Sequence, residues 1–465
     1  MMPDLDPSGS GGPGWCRRLA VCLLPVLAGI TPAHAERRGV VHLGPLDLTP
    51  TVQVQQAYND NIFSNDLSRQ ASFVTTVQAG GQLSLARRLN RYALTYGLRS
   101  MTFSDSPADD YVDHFLSGSG HLDFNLRNRL DFSAQLNYNH TQRGTFFNPG
   151  NTFTLGTLTP PDTGTAATGT DANGTGDSTG SSAEASPPPA IQTPTGQYDV
   201  VGQGTVLNQP LFITRQREPD QWHSYGFGGR YTYGRVDARG RIELSANYST
   251  LKYDNNPERT AQWTRQDWVV SPAFYLRLTP RASLLTQLEY DRIEYPDAMQ
   301  GLDGDRVRYL VGATWQQTAK TSGSARVGYV QMMLDDPAQE TTGGASWDVG
   351  INWRPLRYSQ VSLSATQNQN PAQGFGTTIA YRNYAAGWSH GWSPRISTTL
   401  SLGYSQIDYQ TADRVDNQFS GGVGVGYQMK NWLNLGLSYN YTHLDSNQSV
   451  VDYQQNVVMF SLAIQ

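Results

Sequence analysis

The chain has 465 residues, a formal net charge of −5 and only 16% charged side chains, where soluble domains usually carry ~25%. That charge offers no clustered basic surface for nucleic acid. A mean hydropathy of −0.49 excludes a chain dominated by membrane helices, but not one that crosses lipid with strands, since a strand with one apolar and one polar face averages to mildly polar.

The first predicted element is an export signal. Arg17 and Arg18 precede an apolar run over 19–30, followed by Ala33, His34 and Ala35. A positive flank, a short apolar core and small residues before the cut are the layout of a secretory signal. The run is shorter than the ~20 residues of a spanning helix. Both cysteines, Cys16 and Cys22, lie in this segment, so the expected mature chain has neither disulfides nor cysteine-ligated metals. The expected organisation is a cleaved signal peptide over 1–35, a short periplasmic segment over 36–47 and one outer-membrane β-barrel over 48–465.

Beyond Ala35 the sequence becomes a series of strand-like runs of period two. Leu433, Leu435, Leu437, Tyr439 and Tyr441 alternate with Asn434, Gly436, Ser438 and Asn440. Leu130, Phe132, Ala134, Leu136 and Tyr138 alternate in the same way with Asp131, Ser133, Gln135, Asn137 and Asn139. Successive side chains of a strand point to opposite faces, so each run has one apolar and one polar wall. About eighteen such runs begin near residues 48, 73, 91, 112, 130, 221, 239, 262, 281, 306, 322, 342, 359, 378, 395, 416, 432 and 453. Tight polar connections alternate with longer ones throughout. The fold class expected is therefore all-β: a transmembrane antiparallel β-barrel of about 18 strands with short periplasmic turns and long extracellular loops, in the Gram-negative outer membrane.

A soluble β protein would carry many Lys and Glu residues on its polar face. Here that face is rich in Gly, Ser, Thr, Asn and Gln, and the apolar face is nearly free of charge. Aromatics near predicted strand ends, such as Trp347, Trp353, Trp388, Trp392, Tyr427 and Trp432, suit interfacial girdles. The last run ends in an apolar stripe of Val458, Phe460, Leu462 and Ile464. One stretch breaks the rhythm. Residues 144–218 form an insertion in the third outer loop, and 159–190 contain little but Thr, Gly, Ser, Asp, Ala and Pro. Such a composition cannot bury enough apolar surface to order itself.

No motif carries an enzyme reading. The seven histidines beyond the signal, His42, His114, His121, His140, His223, His390 and His443, make no HExxH or close ligand pair. No GxSxG elbow is present. No catalytic, cofactor or metal residue is expected. By strand parity, Arg99, Arg230, Arg241, Arg308, Arg326, Asp123, Asp131, Glu243, Glu289 and Asp348 point into the lumen. They read either as a salt-bridge network that stiffens the barrel or as a charged lining that selects a solute. Phe115, Tyr275 and Tyr381 are inward aromatics that could stack on sugar rings or simply fill space.

The first run ends in Ala57, Tyr58, Asn59, Asp60, Asn61, Ile62 and Phe63. A strand entering such a turn soon after a signal peptide resembles the β-barrel porins encoded in exopolysaccharide and capsule loci of Gram-negative bacteria. The resemblance implies an outer-membrane channel for export or assembly of a secreted exopolysaccharide. The partners it implies are outer-membrane lipid, the β-barrel assembly machinery, a periplasmic polysaccharide-export protein and the glycan itself, with no nucleic acid. The alternatives are a passive or solute-specific diffusion porin and a structural or adhesive surface protein. About a dozen residues separate Ala35 from the first run, which is too few for the plug of a TonB-dependent receptor, and no passenger suggests an autotransporter.

Overall fold

A computed structural model describes residues 39–141, 143, 218–235, 237–296, 303–318, 320–371, 378–410 and 412–464. The segment read as an export signal and most of the expected 144–218 insertion lie outside the described residues. The strands are β1 (Val41–Leu43), β2 (Leu46–Asn59), β3 (Ser72–Arg87), β4 (Asn90–Phe103), β5 (Tyr111–Asn125), β6 (Asn128–Thr141), β7 (Asp220–Tyr233), β8 (Gly240–Tyr253), β9 (Arg265–Thr279) and β10 (Ala282–Glu294). They continue as β11 (Gly304–Thr318), β12 (Thr321–Leu334), β13 (Thr342–Leu356), β14 (Ser359–Pro371), β15 (Thr378–Ser393), β16 (Ile396–Tyr409), β17 (Arg414–Lys430), β18 (Leu433–Ser446) and β19 (Tyr453–Ile464).

From β2 to β19 each strand pairs antiparallel with the next, and β19 returns to pair with β2. The result is a closed barrel of eighteen strands. All but one of the predicted runs begin within two residues of an observed strand. The run expected near 262 begins instead at Arg265, because Ala261–Trp263 forms a 3-10 turn with Trp263 buried beneath the mouth. The segment before β2 also does more than lead in. A turn at Gly44, with φ +67°, folds β1 back onto β2 at Leu46 to Leu48. The other edge of β2 is occupied along its length by β3. β1 therefore covers Leu46 to Leu48 of the free edge that lies beyond Val52, the last β2 residue paired with β19.

Following directly opposed residues once round the ring returns to β2 displaced by about 22 residues, a stagger that requires strands tilted by roughly 40°. An even ring of this strand number and stagger is roughly 35 Å across between backbones. This ring is not even. Cα atoms of β12 and β14 come within 8 Å across β13, and those of β11 and β13 across β12. Strands two apart in a flat sheet would sit roughly 10 Å apart. The wall therefore turns a sharp corner at β11–β14.

Six of the strand pairs shift register, each beside a short turn, as between Trp353 and Leu356 or between Gln428 and Lys430. A bulge adds local twist, which helps each hairpin reverse at the rim. The outward face is apolar, with Leu94, Leu136, Phe227, Leu244, Phe274, Val311, Val327, Leu402 and Leu437 all exposed. Aromatic residues edge this belt. On β17, exposed Phe419 and Tyr427 stand eight residues apart, roughly 20 Å along the barrel axis at this tilt. That approaches the ~25 Å apolar band of outer-membrane barrels. Tyrosines of the loop-side girdle donate to polar side chains on the next strand: Tyr404 to Asn417 at 2.9 Å and Tyr439 to Asn456 at 2.8 Å. Their rings stay in the belt while their hydroxyls find partners at its edge.

Val423 lies midway between Phe419 and Tyr427 and faces outward. Val423→Arg is expected to lower unfolding stability in lipid by roughly 2–4 kcal/mol. The same change at lumen-facing Ser401 should cost far less. Urea titrations of the barrel refolded in liposomes measure both.

Candidate functional site: the lumen wall

The inward positions of neighbouring strands are in register, so one belt of lumen residues can be read round the barrel. The ten charged residues expected inside lie on this face, and most of them are held by a neighbour. Arg99 on β4 binds Asp113 on β5 through two nitrogens at 2.5 and 3.1 Å. Asp113 is fully buried and also accepts from the backbone and the ring of His140, each at 3.0 Å. His121 bridges Asp131 at 2.6 Å and Asp123 at 3.3 Å. Arg230 is directly opposite Asp131 in register. Arg241 pairs with Glu243 at 3.1 Å, with its guanidinium 4.4 Å from the centroid of the Tyr275 ring.

The densest group sits inside the corner. Arg308 contacts Glu289 at 3.2 Å and Asp348 at 3.8 Å, and its Nε donates to Ser346 at 3.1 Å. Arg326 contacts the same Asp348 at 2.7 Å and donates to Gln287 at 2.7 Å. Arg306 pairs with Asp291 and reaches across two strands to the side chain of Asn370 at 2.5 Å. The concave bend makes these contacts possible, because it brings second-neighbour strands within side-chain reach. Arg308 and Glu289 are 2% and 1% exposed. Charges this deep must be paired and hydrogen-bonded, or desolvation drives the fold away from them.

Parity alone did not single out Asp113, His140, Arg265, Asp267, Gln287, Asp291, Arg306, Arg414 or Asp416. All but His140 share the inward phase of their strands, so the same alternation contained them; His140 has the outward parity of Tyr138 and reaches Asp113 from the end of β6. Arg265 meets Asp267 at 3.3 Å and Arg414 meets Asp416 at 2.6 Å. Of the inward aromatics, Phe115 lies under Arg99 at 5.4 Å, and Tyr381 packs against Ile379, Ile407 and Tyr409. All three aromatics are engaged with the wall.

At the outer rim, two loop carboxyls are displaced in opposite directions. Asp335 is held below the usual carboxylate range by the hydrogen bond from Arg292. Burial pushes Asp452 up, against the backbone amide of Ser446 that donates to it at 2.7 Å.

A closed barrel with this lumen agrees with the sequence comparison. The model of a family described as "Putative beta-barrel porin 2" matches residues 220–465, more than half of the chain. The chain belongs to this porin family. It is a Gram-negative outer-membrane porin, and its apolar belt is the lipid-facing surface. No curated protein matches it. Among solved structures, OccK2 of Pseudomonas aeruginosa in complex with glucuronate has 7% identity over 90% of this chain and 98% of that one, with a TM-score of 0.43. A BenF-like porin of Pseudomonas fluorescens has 7% identity with the same coverages and TM-score. The FrpB iron transporter of Neisseria meningitidis has 9% identity over 85% of this chain, with a TM-score of 0.42, and the porin spans 62% of its length. Nothing about substrate follows from likenesses this distant.

The motif that carried the resemblance in sequence has a definite place in the porin. Asp60 and Asn61 clasp the first outer loop to β19, where the barrel closes. Asp60 accepts from the backbone and side-chain nitrogens of Asn456 at 2.7 and 2.8 Å. Asn61 is fully buried, donates to the Gln454 carbonyl at 2.8 Å and to Asp66 at 3.2 Å, and accepts from the Asn65 amide at 3.1 Å. Its own carbonyl accepts from Gln455 at 2.7 Å. Ile62 then drops into an inner cluster with Ala57, Val74, Met101, Phe103, Tyr111 and Val457. The motif is thus spent on holding the seam.

Asn61→Ala is expected to lower stability by about 1–3 kcal/mol, since it strands buried partners at the seam. The shift of the urea midpoint reads it. Arg308→Met alone should cost about 3–5 kcal/mol by leaving buried carboxylates without their cation. Combining it with Glu289→Gln should restore much of the loss, and a double-mutant cycle on the unfolding free energies checks that coupling.

Proposed function

We propose that this porin is a diffusion channel for small polar solutes. The observation that carries this reading is a lumen wall whose charges neutralise one another within a wide closed ring. A barrel of eighteen strands has room for an aqueous path. A wall whose most deeply buried cations, Arg306 and Arg308, already hold carboxylates offers water and polar solutes a surface to pass along, without a deep electrostatic trap. Membership of a porin family supports the same reading.

Export of an exopolysaccharide rests on the likeness of residues 57–63 to porins of capsule loci. In the structure those residues clasp the first loop to β19, a role that any barrel with such a seam could use. Solute diffusion is therefore the reading the geometry favours. Display of the Thr/Gly/Ser-rich insertion as an adhesive element concerns a segment outside the described residues.

Purified barrel added to planar bilayers in KCl is expected to give stable, voltage-tolerant conductance steps. Liposomes carrying it should swell in isotonic sugar at rates that fall with solute size. Folded barrel that inserts without conducting would overturn the diffusion reading and return attention to a structural role.

A further inference from the structure

The lumen wall is divided into sectors. Charged residues line the inner faces of β4 to β13. Below the Arg414–Asp416 pair at the outer end of β17, the inner faces of β14 to β18 carry none. These faces are built from hydroxyls, amides and glycines placed in rows by the register. One row runs Ser362, Gly387, Ser401, Gly422 and Asn440 along directly opposed positions. The glycines lie beneath their neighbours' hydroxyls. A Cβ added at Gly387 would stand 2.7 Å from Ser362 Oγ, one at Gly422 would stand 2.7 Å from Ser401 Oγ, and one at Gly403 in the next row would stand 2.5 Å from Ser420 Oγ. Each hydroxyl leans across the glycine beside it, which leaves a flat, thin wall paved with small polar groups. Ser401 is solvent-exposed there.

We propose that the β14–β18 sector is the contact track for uncharged polyhydroxylated solutes, sugars or polyols, in passage through the lumen. The proposal rests on the diffusion-channel reading and names its substrate class. A Ser or Thr hydroxyl rotates to donate or accept, and an amide does both. A solute that presents hydroxyls in any pose can therefore exchange hydrogen bonds along the rows. Contacts of this kind are individually weak and repeat along the path, which allows entry without trapping. A charged solute gains nothing comparable. In the other sectors Arg99, Arg241, Arg265, Arg306, Arg308 and Arg326 are engaged with carboxylates, and the field of a close ion pair fades within the ~8 Å screening length of physiological salt.

The test uses the purified barrel in planar bilayers, with maltotriose as the neutral probe and a tricarboxylate and a triamine of similar size as charged probes. Expected are a cation-to-anion permeability ratio near one and a saturable reduction of KCl current by maltotriose. In the triple variant S362A/S401A/S420A, the maltotriose concentration giving half of that reduction should rise about fivefold or more. Heat-modifiable migration on gels confirms that the variant is folded. If it fails to fold, the single S401A is measured instead, with a smaller rise in the same direction expected. A conducting barrel that prefers either charged probe about tenfold, or whose maltotriose response is unchanged in the folded variant, overturns the proposal and leaves the diffusion reading standing. A folded barrel that never conducts overturns both.

Discussion

Everything in this porin depends on the pairing of its last strand with its first. In lipid an unpaired backbone amide or carbonyl has no water to turn to, so only a closed ring of strands can cross. Closure is also the least local contact in the chain, since β19 meets β2 only after every other strand has been placed. The strand pairing there runs from Asn59 to Val52 and no further along β2. Two devices supplement it. At one end Asp60 and Asn61 bind the first loop to Gln454, Gln455 and Asn456. At the other, β1 folds back to cover Leu46 to Leu48. The seam is thus held at both rims by groups outside the strand ladder itself.

Closure with this stagger also decides what the lumen can be. A ring of this size encloses water, so the inward face must be polar, and long charged side chains can lie flat along the wall. They do so most densely at the corner of β11–β14. There the bend places Arg306, Arg308 and Arg326 among Glu289, Asp291, Asp348, Gln287 and Asn370. The β14–β18 sector of the same ring is thin and hydroxyl-bearing by contrast. The corner thus ties one side of the barrel together with ion pairs and hydrogen bonds that cross more than one strand.

Membership of the porin family and the architecture fit together without any likeness of substrate being needed. The family match covers β7 to β19, which includes the corner, the hydroxyl sector and half of the seam. The Ala57–Phe63 turn lies outside the matched residues, yet it makes contacts with β19 inside them. Its resemblance to capsule-locus porins is best understood through that contact. A strand that must be latched to a distant partner needs short polar side chains at its exit, and Asn and Asp provide acceptors and donors close to the backbone.

The sequence by itself determined the fold class and the strand phase. Period two is a local property of each run, so Leu433 to Tyr441 announced an apolar wall whatever the neighbours were. Inward phase for Arg99, Arg308 or Asp348 followed from the same count. The pairings did not follow, because alternation fixes which face a residue takes but not which residue of the next strand lies opposite. Arg308 meeting Ser346 and Asp348 required the register and the corner. The 3-10 turn at Ala261–Trp263 hid from the period because Trp263 is buried by the loop and not by the strand face. Only the tertiary structure decided that the inner charges are spent on one another, and that Asn61 serves closure, since both depend on residues brought together by the ring and not by the chain.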